Sequence, residues 1–372
     1  MKKIIILTAT RADFGKMKSL ITSLKKDKKK YNITILVTGM HMMPRFGSTH
    51  EEITKNFRGG VIKFKNQNFG DPLEIILVNT ISRLSKIFKK IQPDLIITHG
   101  DRVETLATAI AGSLNHYLVG HIEGGELSGT IDDTIRHSVT KLSHVHFVSN
   151  NKAKKRVIKL GEIPNNVFNI GSSDLDSVNS KNIPDINQVK KRYGINFKKY
   201  AILIWHPVTS EQKTIYNDTK SLVSFLKKMK DDNFIVIYPN NDPGSKEIFK
   251  VYSNLRSSKF RVFPSLRFNY FISLLKNASY VIGNSSCAIY EAPYFNIPSI
   301  NIGSRQKKRF SSRSVLNLPI NKLSEKKIKG FINNYKPLTN SIFKRGESNK
   351  EFIKILNKKT FWEISSQKIF NE

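Results

Sequence analysis

Residues 94–125, DLIITHGDRVETLATAIAGSLNHYLVGHIEGG, contain an apolar strand, a helix and a second apolar strand in immediate succession. DLIITHGD runs without polar alternation until it ends on Asp101, residues 104–114 read as a helix, and the short strand Tyr117 to Gly120 leads into Glu123. Continuous apolar strands joined through a helix belong to a parallel sheet covered by helices on both faces. Neighbouring parallel strands that each finish on a carboxylate bring Asp101 and Glu123 near one another in one crevice, beyond the strands' carboxyl ends. That pairing suits proton transfer at carbon, where one acid removes a proton and another delivers or positions one.

The same alternation extends in both directions. Before this stretch come the strand KKIIILTA, a helix near Lys16 to Lys26, the strand NITILVTG and a helix within Leu77 to Lys90; after it come HVHFVSN and VFNIG. SSDLDSVNSKNIPD, Ser172 to Asp185, is polar and strand-poor and reads as a linker. The pattern then restarts with YAILIWHP, a helix near Ser221 to Lys230, NFIVIYPN, RVFPS, YVIGNS and PSINIG. These are two doubly wound, Rossmann-like α/β domains, expected over 1–175 and 176–355, with the ligand in the cleft between them. The end, 356–372, is expected to form a helix docking on the first domain.

Composition narrows the function. A length of 372 residues suits two domains, and no stretch approaches the roughly 20 apolar residues of a membrane span. The opening apolar run is too short for a signal peptide and soon meets Arg11 and Asp13, so the expectation is a soluble cytoplasmic protein. Cys287 stands alone, which excludes an internal disulfide, and no recognisable partner marks it as a nucleophile. The net charge of +33 invites a nucleic-acid or membrane role. Yet the lysines are scattered in short runs on helical stretches, as at Lys28 to Lys30, Lys89–Lys90 and Lys307–Lys308, where a solvated face is the default. Neither nucleic acid nor membrane is an expected partner.

The densest chemistry lies in 121–137, HIEGGELSGTIDDTIRH, with carboxylates at Glu123, Glu126, Asp132 and Asp133 and then Arg136 and His137. Asp132 or Asp133 could simply cap the following helix, but Gly124, Gly125 and Gly129 crowd the acids as they would in a loop that approaches a ligand closely. The turn after the first strand, Thr10 to Lys16, offers Arg11 and Lys16 at a helix start, an anion site without the GxGxxG fingerprint of dinucleotide binders. His206 follows the first strand of the second domain; it can hold a phosphate or a leaving oxygen, or be a loop histidine bonded to backbone. In YVIGNSSCAIYEAP, Gly283, Asn284, Ser285 and Ser286 precede a helix carrying Glu291 about two turns in, a phosphate cradle with a ribose-binding acid. FPSLRF, with Arg267, is a loop suited to stacking and bonding a base, and Arg305 in GSRQKKR is a candidate phosphate contact. His144 and His146 share a strand face without a third ligand at metal spacing, so no metal site is expected.

Taken in order, TRADFGK, VTGMH, HGDR, HIEGGELSGTIDD-IRH, HPVT, YPNND, FPSLRF and GNSS-EAP resemble the signatures of the hydrolysing UDP-N-acetylglucosamine 2-epimerases of bacterial sialic acid synthesis. The resemblance spans the chain to about residue 310. It implies a GT-B fold, a homodimer, UDP held mainly by the second domain, and neither metal nor redox cofactor. By motif it carries the catalytic carboxylates onto Asp101, Glu123 and Asp132, the phosphate and leaving-group contacts onto Arg11, His206, Ser285 and Ser286, and the ribose contact onto Glu291; Lys16 matches a functional lysine of the wider family. Non-hydrolysing relatives carry a glutamine-histidine-arginine run after the second strand and a histidine-arginine-rich run after the first strand of the second domain. Here those places read GMHMM, 39–43, and HPVTSE, 206–211, which favours hydrolysis. UDP-N-acetylglucosamine and its 2,4-diacetamido-6-deoxy analogue both remain open as substrate, and a GT-B glycosyltransferase is the competing class.

Overall fold

The computed structural model describes residues 1–57, 59–178, 183–307, 309, 312–337 and 347–371. Residues 179–182 of the expected linker and Lys308 of the GSRQKKR loop lie outside them. The chain divides into two compact units, one of Met1–Glu126, Ile131–Ser180 and Phe343–Glu372, the other of Leu127–Thr130 and Lys181–Ile342.

The first unit carries β1 (Lys2–Thr8), α1 (Arg11–Lys26), β2 (Tyr31–Val37), α2 (His50–Asn56), β3 (Val61–Lys63), α3 (Leu73–Ile91), β4 (Leu95–His99), α4 (Val103–Leu114), β5 (Val119–Ile122), α5 (Ile131–Leu142), β6 (Val145–Val148), α6 (Asn151–Lys159), β7 (Val167–Asn169) and α7 (Ser173–Val178). Its strands form one parallel sheet in the order β3-β2-β1-β4-β5-β6-β7. The apolar strands explain this, because alternate residues of β1 feed opposite cores. Ile4 and Ile6 pack with Phe14, Met17, Leu20 and Leu24 of α1, whereas Ile5 and Leu7 pack with Leu84 and Phe88 of α3 and Ala107 and Ala111 of α4. β1 pairs with β2 on one side and β4 on the other, so the strand order reverses there and leaves a crevice at the strands' carboxyl ends.

In the second unit, α8 (Ile186–Tyr193), β8 (Ala201–Ile204), α9 (Ile215–Lys228), β9 (Phe234–Ile237), α10 (Ser245–Ser253), β10 (Phe260–Phe263), α11 (Phe268–Lys276), β11 (Val281–Gly283), α12 (Glu291–Tyr294), β12 (Ser299–Ile302), β13 (Val315–Leu318) and α13 (Glu325–Asn333) build a second parallel sheet, ordered β10-β9-β8-β11-β12-β13. Its reversal lies between β8 and β11. Each unit is therefore doubly wound, as its strand-helix alternation predicts.

Three local expectations are corrected. Ser173–Val178 is a helix rather than linker: Leu175 is buried, and the Asp176 carboxylate accepts from Ser19 Oγ at 3.1 Å and from the backbone N–H groups of Ser348 and Asn349 at 3.0 and 2.9 Å. Asp176 thereby caps α14 (Ser348–Leu356), whose Phe352 ring meets Phe147 edge-on at 4.8 Å, so α14 belongs to the first unit rather than to the domain expected over 176–355. The end of the chain is also not a helix. A 3₁₀ turn, Lys359–Glu363, leads into an irregular tail held by the His144 ring against the Ser366 carbonyl and by the Asn371 N–H on the Gly161 carbonyl. Among the described residues no helix is long and apolar enough to cross a membrane.

Candidate active site

In the first unit the candidate side chains rise from the segments after β1, β4, β5 and β7. Thr10 caps α1 through a reciprocal pair with Asp13, which places Arg11 in the helix's first turn. Arg11 Nε lies 3.6 Å from the Glu52 carboxylate of α2. Beneath this turn His41 is fully buried, with Nε2 3.0 Å from Thr8 Oγ1 and Nδ1 2.5 Å from Thr49 Oγ1. Burial pushes the His41 ring down to about 4, although Asp13 pulls the other way, so the ring is a neutral strut at pH 7.

Asp101 and Glu123 come together as the βαβ reading predicts. Arg136 of α5, itself buried, spans them: Nη2 donates to Asp101 Oδ2, and Nη1 donates to the Glu123 carbonyl at 2.7 Å and lies 3.9 Å from its carboxylate. Glu123 adopts a left-handed backbone with φ of 65°, a conformation that costs a residue with a side chain on the order of 1 kcal/mol or more and is retained where a site needs it. Its N–H is held by the Phe147 carbonyl at 3.1 Å. Lys16, one turn along α1, places Nζ 3.4 Å from Glu123 Oε1 and 2.7 Å from Asp174 Oδ2, and His99 Nε2 is 3.4 Å from Glu123 Oε2. Burial raises the Glu123 carboxyl, but Lys16, then His99 and Arg136, overcome this and hold it well below the usual carboxylate range. Glu123 is thus an anion at neutral pH. Asp132 and Asp133 lie inside the first turn of α5 rather than capping it, and Asp132, four residues before Arg136, shares that residue's helix face. Asp133 pairs with His137 at 3.7 Å. Glu126 serves the structure, accepting from Ser149 Oγ at 2.5 Å and Asn150 Nδ2 at 2.7 Å.

Two members of this cluster escape the sequence reading. His99 ends β4 two residues before Asp101, and Asp174 lies in the stretch read as linker. His99, Glu123 and Asp174 each bring a ligand atom within 4.8 Å of the others, a grouping that could hold a metal ion. Here the Lys16 ammonium stands against both carboxylates as their cation. His146 also has an acidic partner, Glu162 at 2.9 Å, but Lys141 and Lys368 complete that group as ion pairs.

The second unit gathers its candidates at its own switch point. Gly283 ends β11 at φ of 132° so close to β8 that a Cβ would fall 2.0 Å from the Ile204 carbonyl oxygen. Asn284 follows and bonds to the His206 backbone in both directions, while Asn240 N–H donates to His206 Nδ1 at 3.1 Å. Ser285 caps a 3₁₀ turn, Ser286–Ala288, with its hydroxyl accepting from Cys287 N–H at 3.4 Å. Glu291 is not two turns into a helix. It opens the four-residue α12, because Pro293 lacks the N–H that a helix continuing from Ser286 would need. Glu291 is 4% exposed, and its Oε2 finds no hydrogen-bond donor among the described residues. An unsatisfied buried carboxylate oxygen is costly unless a ligand supplies the donor. Arg305 Nη1 reaches the Asn284 carbonyl at 3.4 Å, and Arg267 is the N-cap residue of α11, its guanidinium 6.0 Å from the Tyr270 ring centre. Phe263 and Phe268, the two rings of the FPSLRF loop, are each only 8% exposed and so offer little ring surface to a base.

Parallel sheets of seven and six strands, each with its candidate loops at a switch point, are the two-domain α/β architecture of GT-B type. The UDP-N-acetylglucosamine 2-epimerase family model matches residues 23–357, and the chain belongs to that family. It is 40% identical to a UDP-N-acetylglucosamine 2-epimerase of Neisseria meningitidis serogroup B, over all of this chain and 99% of the relative. It is 35% identical to a hydrolysing GDP/UDP-N,N'-diacetylbacillosamine 2-epimerase of Campylobacter jejuni, over 87% of this chain and 86% of the relative. Its fold matches that of the Methanocaldococcus jannaschii UDP-GlcNAc 2-epimerase solved with UDP-GlcNAc and UDP, with a TM-score of 0.81 at 20% identity, covering 96% of this chain and 99% of the other.

Proposed function

We propose that this epimerase is of the hydrolysing type and converts UDP-N-acetylglucosamine to UDP and N-acetylmannosamine. The observation that carries the reading is the pair Asp101 and Glu123, held together by Arg136 at the ends of adjacent strands. The proton on sugar carbon 2 is not beside a carbonyl, so it becomes removable as the anomeric carbon–oxygen bond to UDP breaks. One carboxylate takes the proton, UDP leaves with the bonding electrons, and a 2-acetamidoglucal results. Water then adds at carbon 1 while carbon 2 is protonated from the opposite face. Asp101 and Glu123 serve the proton transfers and Asp132 the addition of water. Arg11, Lys16, His206, Ser285, Ser286 and Arg305 are assigned to the charge of substrate and departing diphosphate, Glu291 to the ribose hydroxyls, and Arg267 to the uridine end. A GT-B glycosyltransferase would keep the nucleotide site but would not need the carboxylates of the Glu123 to Asp132 segment, which separates the two readings.

Support for hydrolysis comes from the hydrolysing relative and from Met40 and Met42, which flank His41 where the non-hydrolysing run carries glutamine and arginine. The reading places the enzyme in the cytoplasm as a homodimer, making the precursor of a sialic-type sugar. The 35% identity to an enzyme named for diacetylbacillosamine favours a second substrate, UDP-2,4-diacetamido-2,4,6-trideoxyglucose, in the same reaction. Incubation with each sugar nucleotide in deuterated water, followed by proton NMR, tests both. UDP and a free manno-configured sugar deuterated at carbon 2 are expected. Accumulation of UDP-N-acetylmannosamine, or a product retaining protium at carbon 2, refutes the reading.

A further inference from the structure

The switch point of the second sheet is bridged by a single side chain. Asn284, fully buried at the end of β11, accepts from the His206 N–H through Oδ1 at 2.7 Å and donates from Nδ2 to the His206 carbonyl at 2.8 Å. The amide thus reads the backbone of His206 as a neighbouring strand would, extending the β8–β11 pairing by one residue after the strands have ended. Its own N–H bonds to the Ile204 carbonyl at 3.0 Å, and its carbonyl accepts Gln306 Nε2 at 2.7 Å and Arg305 Nη1 at 3.4 Å. Three candidate loops, HPVT, GNSS and GSRQ, are therefore fixed relative to one another at one residue.

The clamp also bears on which proton His206 carries. With its backbone held by Asn284, His206 presents Nδ1 to the Asn240 N–H, so Nδ1 keeps its lone pair and the neutral ring carries its proton on Nε2. A ring locked in this tautomer donates from Nε2 and is suited to bond a phosphate or leaving-group oxygen. We infer that Asn284 is a positioning residue whose side chain sets His206 as an Nε2–H donor toward the diphosphate of the nucleotide sugar. This rests on the nucleotide-sugar function proposed above. Only an amide fits both bonds: a carboxylate at 284 still accepts from the His206 N–H but faces the His206 carbonyl with a second acceptor.

Asn284→Asp, His206→Ala and the double variant test this through kcat, KM and UDP affinity by calorimetry. Asn284→Asp is expected to lower kcat about 10- to 100-fold, less than the loss typical of deleting a transition-state donor outright. In the His206→Ala background the same substitution should cost less than about 2-fold more, because residues acting as a unit are non-additive. Acid should partly restore Asn284→Asp relative to wild type, since a protonated carboxyl regains a donor for the His206 carbonyl. Full additivity of the two substitutions, or wild-type kcat in folded Asn284→Asp, overturns the inference. Should Asn284→Asp not fold, ring ¹⁵N NMR of the wild-type protein decides: His206 must show the Nε2–H tautomer, and an Nδ1–H ring overturns the assignment. Absence of turnover by wild type on either sugar nucleotide would refute the proposed function instead, while UDP calorimetry and the ring spectrum would still report on the clamp.

Discussion

Replacing Lys16 with methionine isolates the charge that keeps Glu123 ionised. The side chain keeps much of its length, but the ammonium 3.4 Å from one Glu123 oxygen and 2.7 Å from Asp174 is gone. At 3.4 Å a unit charge pair is worth about 1 kcal/mol in water and roughly 5 kcal/mol at an effective dielectric constant near 20. Both side chains are mostly buried, 14% and 16% exposed, which puts the effect between those limits. At about 1.4 kcal/mol per pH unit, the acid limb of kcat/KM should move toward neutral by about one pH unit or more. Desolvation already pushes Glu123 up, and the Lys16 ammonium is the largest influence opposing it, ahead of His99 and Arg136. The measurement is the full pH profile of kcat/KM with the sugar nucleotide, by continuous detection of released UDP. A lower plateau alone does not bear on the argument, since Lys16 is also assigned to substrate charge. An active variant whose acid limb coincides with that of wild type would refute the claim that Lys16 sets the Glu123 charge.

Arg136→Lys keeps the charge but loses the fork that reaches Asp101 and the Glu123 carbonyl together, so kcat should fall about 10- to 100-fold with KM changed only a few-fold; steady-state kinetics showing wild-type kcat would contradict this. Stability should decline in mild acid, because burial lowers the His41 ring from 6.5 to about 4 and His121 to about 3. Each depressed histidine binds its proton more readily unfolded than folded, so its contribution is complete above about pH 6.5 and drains as pH falls toward the folded value, at up to about 1.4 kcal/mol per pH unit per ring. Urea unfolding between pH 7 and 4.5 measures it, and a flat free energy over that window would show that these rings are not buried neutral.

Much of the fold is written in the period of the apolar residues. β1, β4 and β8 are unbroken apolar runs because both faces are buried, and such runs stand out in any reading. β3 and β13 are short edge strands: β3 is half-buried or exposed throughout, and β13 buries only its end residues Val315 and Leu318, so neither carries a long apolar run. The helix Ser173–Val178 escapes for a different reason: its polar composition reads as linker, and the partners of Asp176 lie about 170 residues further along the chain. Asp101 and Glu123 are legible because a strand delivers each to the same end of the sheet. Asp174 and His99 become visible only as partners of Glu123 and Lys16, since nothing in their local sequence distinguishes a carboxylate or imidazole of the cluster from an ordinary one. Phe263 and Phe268 mislead in the opposite direction, because aromatic residues in a loop near a candidate site look like a stacking platform until their burial is known.

The cluster in the first unit has a charge balance that suits its proposed chemistry. Lys16 and Arg136 formally contribute two positive charges, and Asp101, Glu123 and Asp174 three negative ones, with His99 bridging to Glu123. Uptake of a proton from the sugar by one of these carboxylates removes a negative charge from among neighbouring acids, so accepting that proton relieves a repulsion instead of creating one. Close cation contacts stabilise the individual anions, and this alone would make them weak bases. Repulsion among the neighbouring carboxylates works against that tendency, and relaxation of Lys16 toward Asp174, its nearer partner, would shift the balance further toward proton uptake at Glu123. On this view Asp174 need not touch the sugar to affect the rate, because it competes with Glu123 for one ammonium group. An Asp174→Asn change would release Lys16 to Glu123 and make that carboxylate a poorer base, the opposite of what removing Lys16 does.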